Sequence, residues 1–274
     1  MKRKGYISSA KKIVVKIGSA VLAGEDNDGL DETVFLNLAK SISEIKKSGK
    51  DIIIVTSGAI AIGMKKMGLK KKPASIPEKQ AIAALGQGSL MSFYEKAFIP
   101  LGEKVAQMLL THDDLANRQR FLNARNTLST LLGYNIIPII NENDTVAVDE
   151  IKFGDNDHLA ALVTNLIEAD LLVILTDIDG LFDKDPKKYK TAKLIPVVDN
   201  VDHLAVAWEG ETASLFGTGG MASKVAAAKK ASHFGAPTIV ANGRDADILK
   251  KIFSCADVGT LFLPIAGKLA SKKH

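Results

Sequence analysis

The sequence predicts an α/β protein with a parallel sheet covered by helices on both faces. Three observations point there. The runs IVVKI at 13–17, IIIV at 52–55, IIPII at 136–140 and LLVIL at 171–175 are apolar almost throughout, as strands buried on both faces tend to be. Longer segments between them place apolar residues at helical spacing. Each run ends in glycine or small polar residues, the punctuation of a strand-to-helix turn.

In chain order, 31–47 is a helix: Val34, Phe35, Leu38, Ala39, Ile42 and Ile45 share one face, and Gly49 stops it. The 52–55 strand leads through Thr56-Ser57-Gly58 into a helix that reaches about Met67. Segment 65–79, rich in lysine with Pro73 and Pro77, reads as an exposed loop. The long helix 77–98 carries Ala81, Ala83, Ala84, Gly86 and Gly88, small residues suited to close helix packing. Strand 104–110 and helix 113–132 follow, then strand 136–140 and helix 156–168. The rest reads as strand 171–175, a short strand at 194–198, an alanine-rich helix at 221–234, strand 238–240, helix 246–253 and a last strand at 260–263. No repeat or linker divides the chain, so 1–274 is read as one domain.

Composition excludes more than it selects. Hydrophobic residues are 46% and charged residues 24% of 274, enough for a full core in a soluble protein. The net charge of +5 mildly favours anionic ligands. Its lysines cluster near 2–4, at 70–72 and at the C-terminus, which read as solvated tails and loops. Aromatics are only 5% and do not interleave with the basic runs, which argues against nucleic-acid binding. The single cysteine, Cys255, forms no disulfide within the chain, which fits a reducing, cytoplasmic setting. Lys16 interrupts the first apolar stretch, so it is no signal peptide, and no run approaches the length of a membrane span.

The chemistry concentrates in turns. Lys16-Ile17-Gly18-Ser19, Thr56-Ser57-Gly58-Ala59, Asn141 to Asp144 and Thr176-Asp177 each follow a buried strand. Ligands of open parallel sheets bind beyond such carboxyl ends, and glycine lets backbone amides approach an anion. Any α/β protein has such turns, so each alone is a weak signal, while their repetition suits a phosphate-bearing ligand. A further turn, Gly217-Thr218-Gly219-Gly220-Met221-Ala222-Ser223-Lys224, puts glycines before a helix and a lysine in its first turn. That suits a nucleotide phosphate; the alternative is a hinge with a surface lysine. It is not a Walker A loop, and no GxGxxG follows the first strand. Lys16 lies within a β-branched run, where a lone ammonium is expensive, so it needs an anionic partner unless the strand is an edge strand facing solvent. Asp144, Asp155, Asp157, Asn143 and Asn156 crowd one stretch, and crowded carboxylates repel unless cations or donors compensate. The five histidines lack metal-ligand spacing, and no GxSxG elbow is present.

Taken together, KIGS at 16–19, VTSGAIAIG at 55–63, NENDTVA at 141–147, GDND at 154–157, LTDIDGL at 175–181 and GTGGMASK at 217–224 resemble the glutamate 5-kinases, a branch of the amino acid kinase family. The resemblance spans nearly the whole chain, with a catalytic core at about 11–263. It implies a three-layer α/β/α sandwich with a mainly parallel central sheet. It also implies ATP- and Mg2+-dependent phosphorylation of the γ-carboxylate of L-glutamate, the first step of proline biosynthesis. By the same resemblance, Lys16, Asp157 and Lys224 are catalytic, and Ser57, Asp144 and Asn156 hold glutamate. Lys16, Thr176, Asp177, Thr218, Gly219, Gly220, Met221, Ala222, Ser223 and Lys224 would bind ATP, while metal ligands stay unassigned. Proline is implied as a feedback inhibitor and a homo-oligomer, dimer or tetramer, as the assembly. Many members carry a C-terminal PUA domain, for which this sequence leaves no room after Leu263. The alternatives are an acetylglutamate or carbamate kinase-like enzyme, a non-catalytic nucleotide or amino-acid sensor, and an RNA-binding protein.

Overall fold

The computed structural model describes residues 2–23, 30–147, 156–186, 188–208 and 220–265. Its centre is an eight-stranded sheet in the order β3-β4-β2-β1-β5-β7-β8-β6. The strands are β1 (Lys12–Ile17), β2 (Asp51–Val55), β3 (Val105–Leu110), β4 (Ile137–Glu142), β5 (Leu171–Thr176), β6 (Val197–Val198), β7 (Thr238–Asn242) and β8 (Thr260–Phe262). From β3 to β7 every pairing is parallel; β8 runs antiparallel to β7.

The apolar runs divide their side chains between the two faces, as a pleat requires. Ile13, Val15, Ile52, Ile54, Leu171 and Val173 bury on one face. Val14, Ile53, Val55, Leu172 and Ile174 bury on the other. The first face carries α3 (Glu32–Lys47), α4 (Ala59–Lys66), α5 (Ile76–Phe98) and α11 (Ile248–Phe253). The second carries α7 (Arg118–Gly133), α8 (Asn156–Leu166) and α10 (Gly220–His233). The remaining helices are α1 (Lys2–Ser9), α2 (Ser19–Leu22), α6 (His112–Ala116) and α9 (Val201–Trp208). This is the expected three-layer sandwich. Among the described residues no helix is long and apolar enough to cross a membrane.

Several local expectations change. The basic N-terminus is not a solvated tail: it forms α1, and Arg3 is buried. The Arg3 guanidinium donates to the carbonyl oxygens of Ala256, Val258, Pro196 and Gly259, closing the end of the sheet. The helix expected at 113–132 breaks at Asn117, whose side chain accepts from the amides of Gln119 and Arg120 and so starts a new helix. The strand expected to stop at Ile140 continues to Glu142, because β3 pairs with Asn141 and Glu142. The strand at 194–198 shrinks to Val197–Val198, since Pro196 has no amide to give. Of the lysine-rich loop, Lys65 and Lys66 belong to α4, and a Ser75–Glu78 capping box opens α5.

Helices α4 and α5 touch backbone to backbone. A Cβ on Gly86 would lie 1.9 Å from the Ala59 carbonyl oxygen, and one on Gly63 would lie 2.0 Å from that of Ile82. Neither neighbour is a side chain that can swing away. Gly86→Ala is therefore expected to lower stability by about 3 kcal/mol and Tm by roughly 6–10 °C, read in a thermal melt. Gly88→Ala is the control, because nothing lies within 4 Å of its Cβ. Equal melting of the two variants would refute the close crossing.

Candidate active site

Strand β1 lies between β2 and β5, the place where successive strands turn from one side of the sheet to the other. Clefts at the carboxyl ends of such strands are where open α/β sheets bind ligands. Of the predicted site residues, Lys16, Ser57, Asn156, Asp157, Ser223 and Lys224 come together there. Lys16 is the last but one residue of β1, paired with Val55 of β2 and Ile174 of β5. It is therefore in a central strand, which removes the edge-strand alternative. By the pleat its side chain shares the face of Val14, under α8 and α10.

Asp157, in the first turn of α8, joins the two lysines. Lys16 Nζ lies 2.5 Å from its Oδ1 and Lys224 Nζ 3.1 Å from its Oδ2. All three residues are buried, at 6%, 2% and 9% exposure for Lys16, Asp157 and Lys224. The Ser223 hydroxyl also donates to Asp157 Oδ2, at 2.8 Å, and Lys224 Nζ donates to the Gly220 carbonyl at 2.9 Å. Burial alone would raise the Asp157 carboxyl; Lys16, Lys224 and the Ser223 hydroxyl more than offset it and hold it well below the usual carboxylate range. Among the described residues, two ammoniums against one carboxylate leave a net positive charge in a shielded place, and such a charge calls for an anion.

One residue earlier, Asn156 faces a different set of partners. Its Nδ2, with two hydrogens to share, lies 2.7 Å from the Thr56 carbonyl oxygen, 2.9 Å from the Ser57 hydroxyl and 3.0 Å from Asn141 Oδ1. Its buried Oδ1 has no partner among the described residues. The turn after β2 is fixed from behind by a buried hydrogen bond of 2.7 Å between Thr56 Oγ1 and the Tyr94 hydroxyl of α5. Gly58 then takes φ +110°, a left-handed conformation that suits glycine, and α4 starts with its first amides free.

Asp144 sits beyond β4 in a turn closed by the amides of Val146 and Ala147 on the Asn143 carbonyl. Desolvation pushes its carboxyl up to about 6. Among the described residues it has no hydrogen bond or ion pair. Thr176 ends β5 beside β1; its hydroxyl donates to Asp177 Oδ1 at 3.1 Å, and its carbonyl accepts from the Gly243 amide at 2.7 Å. Thr176 is buried and Asp177 exposed, and among the described residues neither makes a hydrogen bond or ion pair to the lysine cluster. Gly220, Met221, Ala222 and Ser223 form the first turn of α10, with Met221 in the core and Ala222 exposed. Thr218, Gly219 and Asp155 lie outside the described residues.

Sequence reasoning passed over Asn141, Tyr94 and Gln87. Asn141 was inside a quoted motif but carried no role. Tyr94 and Gln87 lie in a helix read only for its small residues. His158, next to Asp157, has partners of its own: its Nε2 lies 3.3 Å from His112 Nε2 and 2.8 Å from Lys230 Nζ. Sequence spacing could not reveal that histidine pair.

Residues 11–242 match the model of the amino acid kinase family. The chain is 55% identical over 272 residues to a glutamate 5-kinase of Geobacter sulfurreducens, covering 99% of this chain and 73% of that protein. It is 53% identical over the same length to a glutamate 5-kinase of Geobacter metallireducens, with the same coverage. Among solved structures, a carbamate kinase from Giardia lamblia bound to AMP-PNP superposes with a TM-score of 0.67. It covers 94% of this chain and 100% of that one at 19% identity, which speaks for the fold alone.

Proposed function

The chain belongs to the amino acid kinase family, in its glutamate 5-kinase branch, and from that premise we propose how its site works. The reaction is transfer of the γ-phosphoryl group of ATP to the γ-carboxylate of L-glutamate, the first step of proline biosynthesis. A glutamate side chain with a pKa of about 4.3 is ionised at neutral pH. The acceptor is thus its own nucleophile and needs no general base. The difficulty is bringing one anion onto another, and phosphoryl transfer is largely positioning and charge stabilisation.

The observation that carries this reading is the adjacency of Asn156 and Asp157. One turn of α8 joins an acceptor cradle (Ser57, Asn156) to a buried cation pair (Lys16, Lys224). In the proposed mechanism Lys16 and Lys224 neutralise the charge that builds on the transferring phosphoryl. Asp157 fixes both ammoniums, so that little reorganisation is left for the reaction itself. The first turn of α10, from Gly220 to Ser223, lies along the phosphates with Thr218 and Gly219 ahead of it, and Thr176 and Asp177 flank the nucleotide. Ser57 and the free amides at the start of α4 take a carboxylate. The unpartnered Asn156 Oδ1 and the Asp144 carboxylate take the ammonium. Among the described residues no three His, Cys, Asp or Glu side chains form a metal cage; Mg2+ would be held mainly by ATP phosphates and water, its usual habit. Proline, which shares the α-amino and carboxylate groups of glutamate, would compete at the acceptor cradle, with Asp144 and segment 65–79 as contributors.

The test is ATP, Mg2+, L-glutamate and hydroxylamine with the purified chain, reading the trapped γ-hydroxamate beside a panel of N-acetylglutamate, carbamate and UMP. Hydroxamate from glutamate is expected; activity restricted to another acceptor overturns the reading. Asp144 adds a pH signature. Its carboxyl is raised from 3.8 to about 6 in the free protein. The folded chain therefore holds this proton more tightly than the unfolded chain. Asp144 favours folding at low pH, and that contribution is lost as pH rises through about 6. An ammonium ligand needs the ionised form. The KM for glutamate is expected to rise about tenfold between pH 7 and pH 5, and Asp144→Asn is expected to flatten that rise while weakening binding throughout. An identical pH profile in the variant would remove Asp144 from the site.

A further inference from the structure

We propose that Gln87 is a specificity-determining residue of the acceptor site, anchoring Asn141 through its Oε1 and donating its Nε2 to the α-carboxylate of the bound amino acid. The inference rests on the acceptor reading given above.

Three side-chain amides are set in series by one backbone atom. The Thr56 carbonyl can only accept, so the Asn156 atom 2.7 Å away must be Nδ2. That nitrogen also meets Asn141 at 3.0 Å, so the Asn141 atom there must be Oδ1. The Asn141 Nδ2 then faces Gln87 at 2.8 Å, so the Gln87 atom must be Oε1. Flipping any one amide would set donor against donor or acceptor against acceptor. The relay leaves two atoms over. Asn156 Oδ1 at one end and Gln87 Nε2 at the other are shielded from solvent and have no partner among the described residues. Buried polar groups left unpaired are rare and costly. One spare acceptor and one spare donor match the ammonium and carboxylate of an α-amino acid. The relay starts at the neighbour of Asp157 and leads away from the lysine pair, so the carboxylate at the Gln87 end is the one that is not phosphorylated.

The helix that carries Gln87 is built to hold it still. Gly86, its neighbour, is the point of closest approach between α5 and α4. Seven residues earlier, and so on the same face of α5, Gln80 Nε2 donates to the Ala147 carbonyl at 3.2 Å. Gln80 and Gln87 thus staple both ends of the segment 141–147, with Asp144 between them.

The experiment compares steady-state kinetics of wild type, Gln87→Glu and Gln87→Met. Gln87→Glu still accepts from Asn141 but puts a negative charge where the carboxylate binds; Gln87→Met keeps the length and loses both hydrogen bonds. The KM for glutamate should rise at least tenfold in Gln87→Glu and severalfold in Gln87→Met, while the KM for ATP stays within twofold of wild type. L-Glutamic acid α-amide, which keeps the γ-carboxylate and loses the α-carboxylate charge, should narrow the gap between Gln87→Glu and wild type, a readout that a purely structural role would not move. A Gln87→Glu enzyme with a glutamate KM within twofold of wild type overturns the inference, as does a gap the α-amide leaves unchanged. If Gln87→Glu does not fold, an unchanged glutamate KM in Gln87→Met overturns it. Should wild type act only on another acceptor of the panel, the parent reading fails, and the Gln87 effect is read on that acceptor's KM. Wild type inactive toward the whole panel overturns both.

Discussion

Replacing Lys224 with alanine is expected to slow hydroxamate formation about 10²–10³-fold, or roughly 3–4 kcal/mol of transition-state stabilisation, without unfolding the protein. The retained fold follows from the charge count. Asp157 keeps Lys16 at 2.5 Å and the Ser223 hydroxyl at 2.8 Å when Lys224 is gone. The buried cluster passes from net positive to neutral, so no carboxylate is stranded. The loss should fall on kcat, because the ammonium acts on charge that grows in the transition state. The KM for glutamate should hardly move. A variant with wild-type turnover would place the transferred phosphoryl elsewhere.

Asp157→Asn is expected to damage both stability and rate. The shape is kept, but two buried ammoniums then face one neutral amide. Removing one partner of a buried ion pair costs about 3–5 kcal/mol, or a fall of roughly 10 °C in Tm for a chain of this size. Turnover should drop about 100-fold as the lysines lose their common anchor. Two further measurements separate this account from generic damage. ATP is a polyanion and meets a more positive site in the variant, so it should raise the variant's Tm more than it raises that of wild type. The double variant Asp157→Asn/Lys224→Ala should be more stable than Asp157→Asn alone, because one unpaired ammonium is gone. If the double variant is the less stable of the two, the charge account of the cluster is wrong.

Where sequence reasoning succeeded, the physics was local. A run such as IIIV or LLVIL is apolar at successive positions, so it has to be covered on both faces wherever it ends up. Lys16 within IVVKI needed a partner for the same reason; the family resemblance implied that Asp157 orients both lysines, and the fold sets it 2.5 Å from Lys16. Asn117 and Pro196 were readable in principle, since one caps a helix and the other cannot pair in a sheet. They went unread because the apolar periodicity around them ran on. Arg3 was misread for a different reason. Its partners are carbonyl oxygens of residues 196, 256, 258 and 259, far away in the chain, and in sequence a buried guanidinium looks like a solvated one.

The crossing of α4 and α5 stands between these cases. Gly86 announced close packing, but only the fold decided that it packs on α4 and that Gly63 of α4 packs on α5, which fixes the height of Gln87 beside Asn141. The histidine pair His112 and His158 is wholly tertiary: 46 residues separate two rings whose centroids lie 5.1 Å apart.

By itself, then, the sequence determined the layers, the sites of the strand-to-helix turns and the residue types gathered at them, because burial and backbone conformation act over a few neighbouring residues. Only the tertiary structure decided which turn faces which. It set Asn156 toward Thr56 and Asp157 toward Lys16 and Lys224, and it left Asn156 Oδ1 and Gln87 Nε2 without partners among the described residues. Those outcomes depend on strand order and helix crossing, where hydrogen bonds and ion pairs act over about 3 Å between residues up to about 140 positions apart in the chain.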